Sequence, residues 1–196
     1  MASQQYDVWA VTPGSDANFY VTSVTPSGAG ALTLAATTPG VNGYGYKVSI
    51  TSVADETGKN FVITGIPVGS TETVSETIAG GNNTTVYTTR YFATVSSITV
   101  SAATAGAIEV GYGGVLALPL TRIKGLYYVG ATSAGSVVVT RASDSRVILN
   151  LATPAGSGAF ADSLFIAAEG LRTAKSTNDY ATVTTSNLTS LTLICG

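Results

Sequence analysis

An all-β protein, built as two tandem β-sandwich or jelly-roll-like modules with little or no helix, is the fold class that the sequence predicts. Three observations lead there. Short segments alternate apolar and polar residues with a period of two, as half-buried strands do. Turn formers recur between these segments at intervals of roughly 8–12 residues. Val, Thr, Ile and Tyr prevail over the Leu, Glu, Lys and Ala that a helical bundle would carry at 3.6-residue spacing.

Taken in order, FYVTSV (19–24) and ALTLAA (31–36) come first, parted by Pro26-Ser27-Gly28. In YKVSITS (46–52), Tyr46, Val48 and Ile50 share one face and Lys47, Ser49 and Thr51 the other. NFVITGI (60–66) follows a turn at Asp55–Gly58, and ETVSETIA (72–79) precedes another at Gly80–Asn83. TVSSITVS (94–101) closes the first half. GLYYV (125–129), GSVVVT (135–140) and YATVTT (180–185) have the same rhythm in the second half. RVILNL places Val147, Leu149 and Leu151 on one face, and LTLIC does so for Leu191, Leu193 and Cys195. In SLFIAAEGLRTAK (163–175), Glu169-Gly170 between two apolar runs predicts a turn joining two strands.

GYGG (111–114), read as a turn and followed by Leu118-Pro119-Leu120, marks a boundary. It divides the chain into a first β-sandwich module at 21–114 and a second β module at 115–196, both of ordinary domain size. Residues 1–20 are set apart as an N-terminal arm, because Tyr6, Trp9, Phe19 and Tyr20 crowd there before the strand rhythm settles. Tyr and Trp are enriched at interfaces, so these four are the candidate interface residues. Residues 1–114 hold seven acidic against three basic side chains, a net of −4, while residues 115–196 hold four against six, a net of +2. Opposite signs would help neighbouring subunits dock, although an imbalance this small is within the ordinary scatter of composition.

The composition removes several classes of function. Of 196 residues, 45% are apolar and only 10% charged, where an ordinary domain has about 25% charged. Disorder pairs low hydrophobicity with high net charge; here mean hydropathy is +0.34 and net charge −2. Nine basic residues, dispersed along the chain, do not make a phosphate-neutralising surface, so no nucleic-acid partner is expected. No apolar stretch approaches the ~20 residues of a membrane-spanning helix, and MASQQYDVWA lacks the basic and apolar regions of a signal peptide. A soluble chain made in the cytoplasm and not bound to membrane is the expectation.

The sequence offers no candidate catalytic, cofactor-binding or metal-binding residues. Histidine, the usual activating base, is absent, and the single cysteine, Cys195, has no cationic neighbour in sequence to activate it. Asp55-Glu56 lies in a turn whose backbone geometry alone favours Asp and Gly. Glu72 and Glu76, four apart on one predicted strand, point to the same solvent-facing side. GIPVGST (65–71) has the small residues of a phosphate loop without its Lys or its helix, and predicts a turn. The chain therefore reads as non-enzymatic.

Its strands also carry few of the Lys, Pro or inward charges with which monomeric β-proteins guard their sheet edges. Coverage of those edges by other subunits, including further copies of the same chain, is expected.

The run from Lys47 to Gly111 (KVSITSVADETGKNFVITGI, then ETVSETIAGGNNTTVYTTRYFATVSSITVSAATAGAIEVG) resembles a module of small β-rich structural proteins of tailed bacteriophage virions, chiefly through VYTTRYFATVSSITVSAATAG. IKGLYYVGATSAGSVVVT through AAEGLR to NLTSLTLICG is similar to a second short module found beside such genes. It departs from that pattern where Arg141, Asp144 and Arg146 occupy a turn that related segments make Gly-rich. The resemblance implies a virion protein, most simply a capsid decoration (cement) protein that binds the major capsid protein. Tail, collar, connector or head-fibre placement are the alternatives within that class. A carbohydrate-binding module for the host surface is the alternative outside it.

Overall fold

A computed structural model of the chain describes residues 7–11, 14–40, 43–119, 121–155, 161–165, 171–174, 176 and 179–196, with backbone alone for 7–11 and 161–165. The protein is all-β and β-sandwich-like. Among the described residues there is no helix, and the sheets are large and built from antiparallel pairings. The chain divides into two compact units, Gly14–Gly114 and Val115–Gly196, the latter including the N-terminal strand β1 (Asp7–Val11).

In the first unit, β2 (Asp16–Val24), β3 (Gly30–Ala31), β4 (Gly45–Ser52), β5 (Asn60–Pro67), β6 (Val74–Ala79) and β7 (Thr85–Val100) are followed by β8 (Ile108–Leu118), which runs on past Gly114. The long strand β7 organises the unit. Its first half pairs with β4, from Thr51↔Thr85 to Tyr46↔Phe92, and its second half with β5, from Pro67↔Phe92 to Phe61↔Val100. Beyond β5 lies β6, while β3 pairs with the end of β7 and β2 with β8. The period-two pattern is realised side chain by side chain: Tyr46, Val48 and Ile50 are buried with Phe61, Ile63, Phe92, Val95, Ile98, Ile108 and Val110. Each fully buried side chain of this size contributes roughly 1.5–3 kcal/mol over its exposed state.

The second unit has two sheets. The end of β8 pairs with β14 (Ala181–Ser186), β14 with β10 (Gly135–Arg141), and β10 with β11 (Val147–Thr153). In the other sheet β1 pairs with β15 (Leu188–Cys195), and β15 with β9 (Arg122–Gly130). The far edge of β9 takes β12 (Ala161–Phe165) and β13 (Leu171–Arg172). Leu191, Leu193 and Cys195 are all buried, as their alternation predicts. Val147, Leu149 and Leu151 are not: β11 is paired on one side only, and Val147 is 52% exposed.

Three expectations need correction. GYGG is no turn. Gly111–Gly114 lies inside strand β8, because Gly111 lets the backbone of Asp16 and Ala17 come close enough that a Cβ would collide with them. The expected arm at residues 1–20 is not one segment, since residues 7–11 pair with β15 and residues 16–20 open β2. Glu72 and Glu76 do not share a strand, as β6 starts at Val74. The predicted turn at Glu169-Gly170 lies outside the described residues.

Candidate interaction surface

Paired carboxylates can serve as general acid and base, so the acidic side chains are placed first. Glu56 is fully buried. One carboxylate oxygen accepts the Gly106 N–H at 2.9 Å, and the other is ion-paired with Lys59 Nζ at 2.8 Å. Its own backbone N–H donates to Gly81 O, and its carbonyl accepts the Lys59 N–H. Burial opposes the charged form, but Lys59 together with the backbone N–H groups of Gly106 and Ala105 outweighs it, and the carboxyl lies below the usual glutamate range. Glu56 thus ties three turns together. Its neighbour Asp55 is exposed and accepts the N–H and hydroxyl of Thr57 at 3.0 and 2.7 Å, an Asx turn that holds its carboxyl low as well.

Glu76 has an equally structural task. Between Ser49↔Tyr87 and Lys47↔Tyr91 the β4–β7 register shifts, so that β7 advances four residues against two. This bulge takes backbone groups out of the ladder, and side chains replace the missing partners. The buried Thr88 hydroxyl accepts the Val48 N–H at 2.9 Å and donates to Arg90 O at 2.8 Å. The Glu76 carboxylate accepts the N–H and hydroxyl of Thr89 and the N–H of Arg90. Glu76 is therefore bonded and nearly buried, not solvent-facing, while Glu72 is exposed. Neither acidic pair has two carboxylates directed at one space. Among the described residues no cluster of three metal-ligating side chains forms, and no helix is long and apolar enough to cross a membrane. GIPVGST is a turn between β5 and β6, with Gly69 at φ 79° and Ser70 N–H on Pro67 O.

The four aromatic candidates do not gather. Tyr6 lies outside the described residues. Trp9 stands opposite Leu193 in the β1–β15 register, so its strand is already paired within the chain. Phe19 is half-buried. Tyr20 is fully buried in the core of the first unit, which removes it from a docking arm. Both belong to an aromatic cluster: Phe19 meets Tyr20 and Tyr112 edge-on at 5.0 and 5.2 Å, and Tyr112 stacks on Tyr46 at 4.4 Å. The Tyr20 hydroxyl has no hydrogen-bond partner among the described residues, and burial foremost, with Tyr112 and Tyr46 nearby, pushes its ionisation well above the usual tyrosine range.

What the structure does expose is the β2–β3 segment. The two arms converge where the Ala35 N–H donates to Tyr20 O, and the tip is held by Thr104 N–H on Pro26 O. Between these ties is a cleft of about 540 Å³, floored by Val21, Leu32, Leu34 and Val100 and rimmed by hydroxyls such as Thr22 and Ser23. Pairing along it is irregular: β2 meets β8 at Asp16, Val21 and Val24, β3 is two residues long, and beyond it the chain is tied to β7 through Leu32 N–H on Ile98 O and Val95 N–H on Thr37 O. No charged residue occurs from Ala17 to Tyr46. That run was visible in the sequence; its exposure as a strand edge was not, because the alternation of FYVTSV and ALTLAA predicts ordinary paired strands. Thr88 and Glu76 gave no sequence signal either, since their roles depend on a bulge in β7.

No protein-family model matches the chain, and no curated protein matches it.

Proposed function

We propose that the chain is a non-enzymatic structural protein of a tailed-phage virion, most simply a capsid decoration protein that binds the major capsid shell. The observation that carries this reading is the β2–β3 edge: exposed, incompletely paired, hydroxyl-rich and without a charge from Ala17 to Tyr46. An edge of that kind is a template for pairing with another chain, and a free-standing monomer would guard it. The buried carboxylates of Glu56 and Glu76 are engaged in holding backbone, so they support a scaffold role better than a reactive one. The resemblance of Lys47–Gly111 to phage structural modules agrees. A cement protein of this type would bury on the order of 1,000–2,000 Å² per contact, repeated over a symmetric shell to resist internal pressure.

Quantitative mass spectrometry of purified virions tests it. Hundreds of copies per particle are expected, and a few to a few dozen would move the protein to the tail, collar, connector or a head fibre. A saccharide-binding reading draws on one observation, Tyr87, which is 49% exposed with its ring laid against Gly113. Tyr87-dependent binding on a glycan array would favour it.

A further inference from the structure

Strand β11 is a sheet edge without a guard. Among the described residues it pairs with β10 alone, and its other side is an open row of backbone donors and acceptors. Its inner face is unfinished. Leu149 and Leu151 stand opposite Val139 and Val137 in the β10–β11 register, so all four side chains leave the same side of the sheet. Both valines are wholly buried, whereas the two leucines at the edge are only half-buried. On the outer side Asn150 and Ala152 are exposed. No charged residue occurs from Val147 to Ala161, and no proline interrupts the strand.

The edge strand β6 of the Gly14–Gly114 unit shows the contrast. It sets the carboxylate of Glu76 opposite the core residue Ile63, and an inward charge of that kind keeps a second chain from adding to the edge. The inward polar side chain of β11 is Thr153, which is buried and accepts the Gly135 N–H at 3.0 Å.

The charges nearest the edge select what can pair with it. They lie together in the β10–β11 turn, where Arg141 is ion-paired with Asp144 at 3.2 Å and Asp144 also accepts the Arg146 N–H. That turn has two cations against one anion. A second copy laid parallel to the first would bring two such turns side by side. Laid antiparallel about Asn150, it sets Leu149 of each copy opposite Leu151 of the other. The two Arg146 residues are then about 25 Å apart, at a rise of about 3.3 Å per residue. In that one direction the strand is complementary to itself.

We propose that two copies of the chain pair antiparallel along β11, about a two-fold axis at Asn150, each completing the other's inner leucine row. The contact is isologous and closes at the dimer. An interface one strand wide falls below the ~1,600 Å² of a standard stable complex, so the dimer is weak and forms at high concentration. It uses a different edge from β2–β3 and needs no particle, so this contact and the virion reading fail separately.

Sedimentation velocity of the purified full chain tests it, from about 10 μM to about 1 mM and at roughly 50 mM salt, where charge effects are little screened. A dimer that grows with concentration, without larger species, is expected. Asn150→Lys and Asn150→Asp each add a charge at an exposed side chain, directly beside its own twin across the axis. Each should remain folded by circular dichroism and associate at least about tenfold more weakly than the parent. Mixing the two in equal amounts puts opposite charges at the axis and should restore a dimer of one copy of each. A parent that stays monomeric at every concentration leaves β11 to another partner and overturns the proposal. Variants that associate like the parent, or a mixture that stays monomeric, overturn it as well.

Discussion

Glu56 and Lys59 are joined at 2.8 Å within a single turn, and the carboxylate end of the pair is wholly buried while the ammonium end keeps 21% of its surface in water. This asymmetry decides which partner matters more. Removing the buried partner of an ion pair costs about 3–5 kcal/mol in general. Here Glu56→Ala also leaves the Gly106 N–H without an acceptor, and about 3 kcal/mol is expected. Lys59→Ala strands a buried carboxylate that retains its backbone donors, and about 2 kcal/mol is expected. A double-mutant cycle read by urea unfolding should return a coupling of about 1–2 kcal/mol; additive losses would show that the pair does not act as one.

Acid should loosen the same turn. The Glu56 carboxyl is held below the usual glutamate range. Its contribution is therefore complete above the unfolded-state value, near 4.5, and is lost as pH falls through the lower folded-state value. Thermal unfolding from pH 7 to pH 3 should show the gap between parent and Glu56→Gln narrowing at the acid end. Asp55 is shifted the same way by Thr57 but is fully exposed, so repeating the series in an Asp55→Asn background isolates Glu56. A gap that stays constant across the range would remove Glu56 from the acid response.

Parts of this fold were legible because their cause is local. The alternation of Tyr46, Val48 and Ile50, or of Leu191, Leu193 and Cys195, reports burial directly. The rest depends on contacts distant in sequence. Nothing near Trp9 announces that its strand pairs with Leu193. Nothing near Glu76 announces a bulge thirteen residues on, where Thr89 needs an acceptor. GYGG reads as a turn because Gly is a turn former, yet Gly111 and Gly113 are there for the close approach of Asp16 and of the Tyr87 ring. The pairing of β13 with β9 was illegible for the same reason, since β13 is two residues long and carries no periodicity.

Glycine provides a test of close approach without any appeal to unusual backbone angles. A Cβ on Gly45 would collide with the carbonyl of Phe92, and one on Gly65 with that of Thr94, so β4 and β5 each press a glycine against β7. Gly28, in the β2–β3 connection, has nothing within 4 Å. Gly45→Ala and Gly65→Ala must displace backbone, and each is expected to lower stability by ~3 kcal/mol, the upper part of the range for overpacking. Gly28→Ala should stay within ~0.5 kcal/mol of the parent. Chemical denaturation of the three variants makes the comparison; equal effects would mean that the β7 flanks relax freely.

Tyr20 presents the opposite case, a polar atom that the core holds without a partner. Its ring is 0% exposed and touches Phe19 edge-on at 5.0 Å, yet its hydroxyl is unbonded among the described residues. A buried hydroxyl in that state costs about 1–3 kcal/mol. Tyr20→Phe keeps the ring and removes the cost, so a gain of about 1 kcal/mol is expected, with the aromatic contacts retained. Tyr20→Ala empties the site and should lose about 3–5 kcal/mol, as large-to-small core changes do. If Tyr20→Phe is instead destabilising by a similar 1–3 kcal/mol, the hydroxyl is bonded in solution to a buried water, and the Tyr20, Tyr46 and Tyr112 phenols are the groups that would hold it.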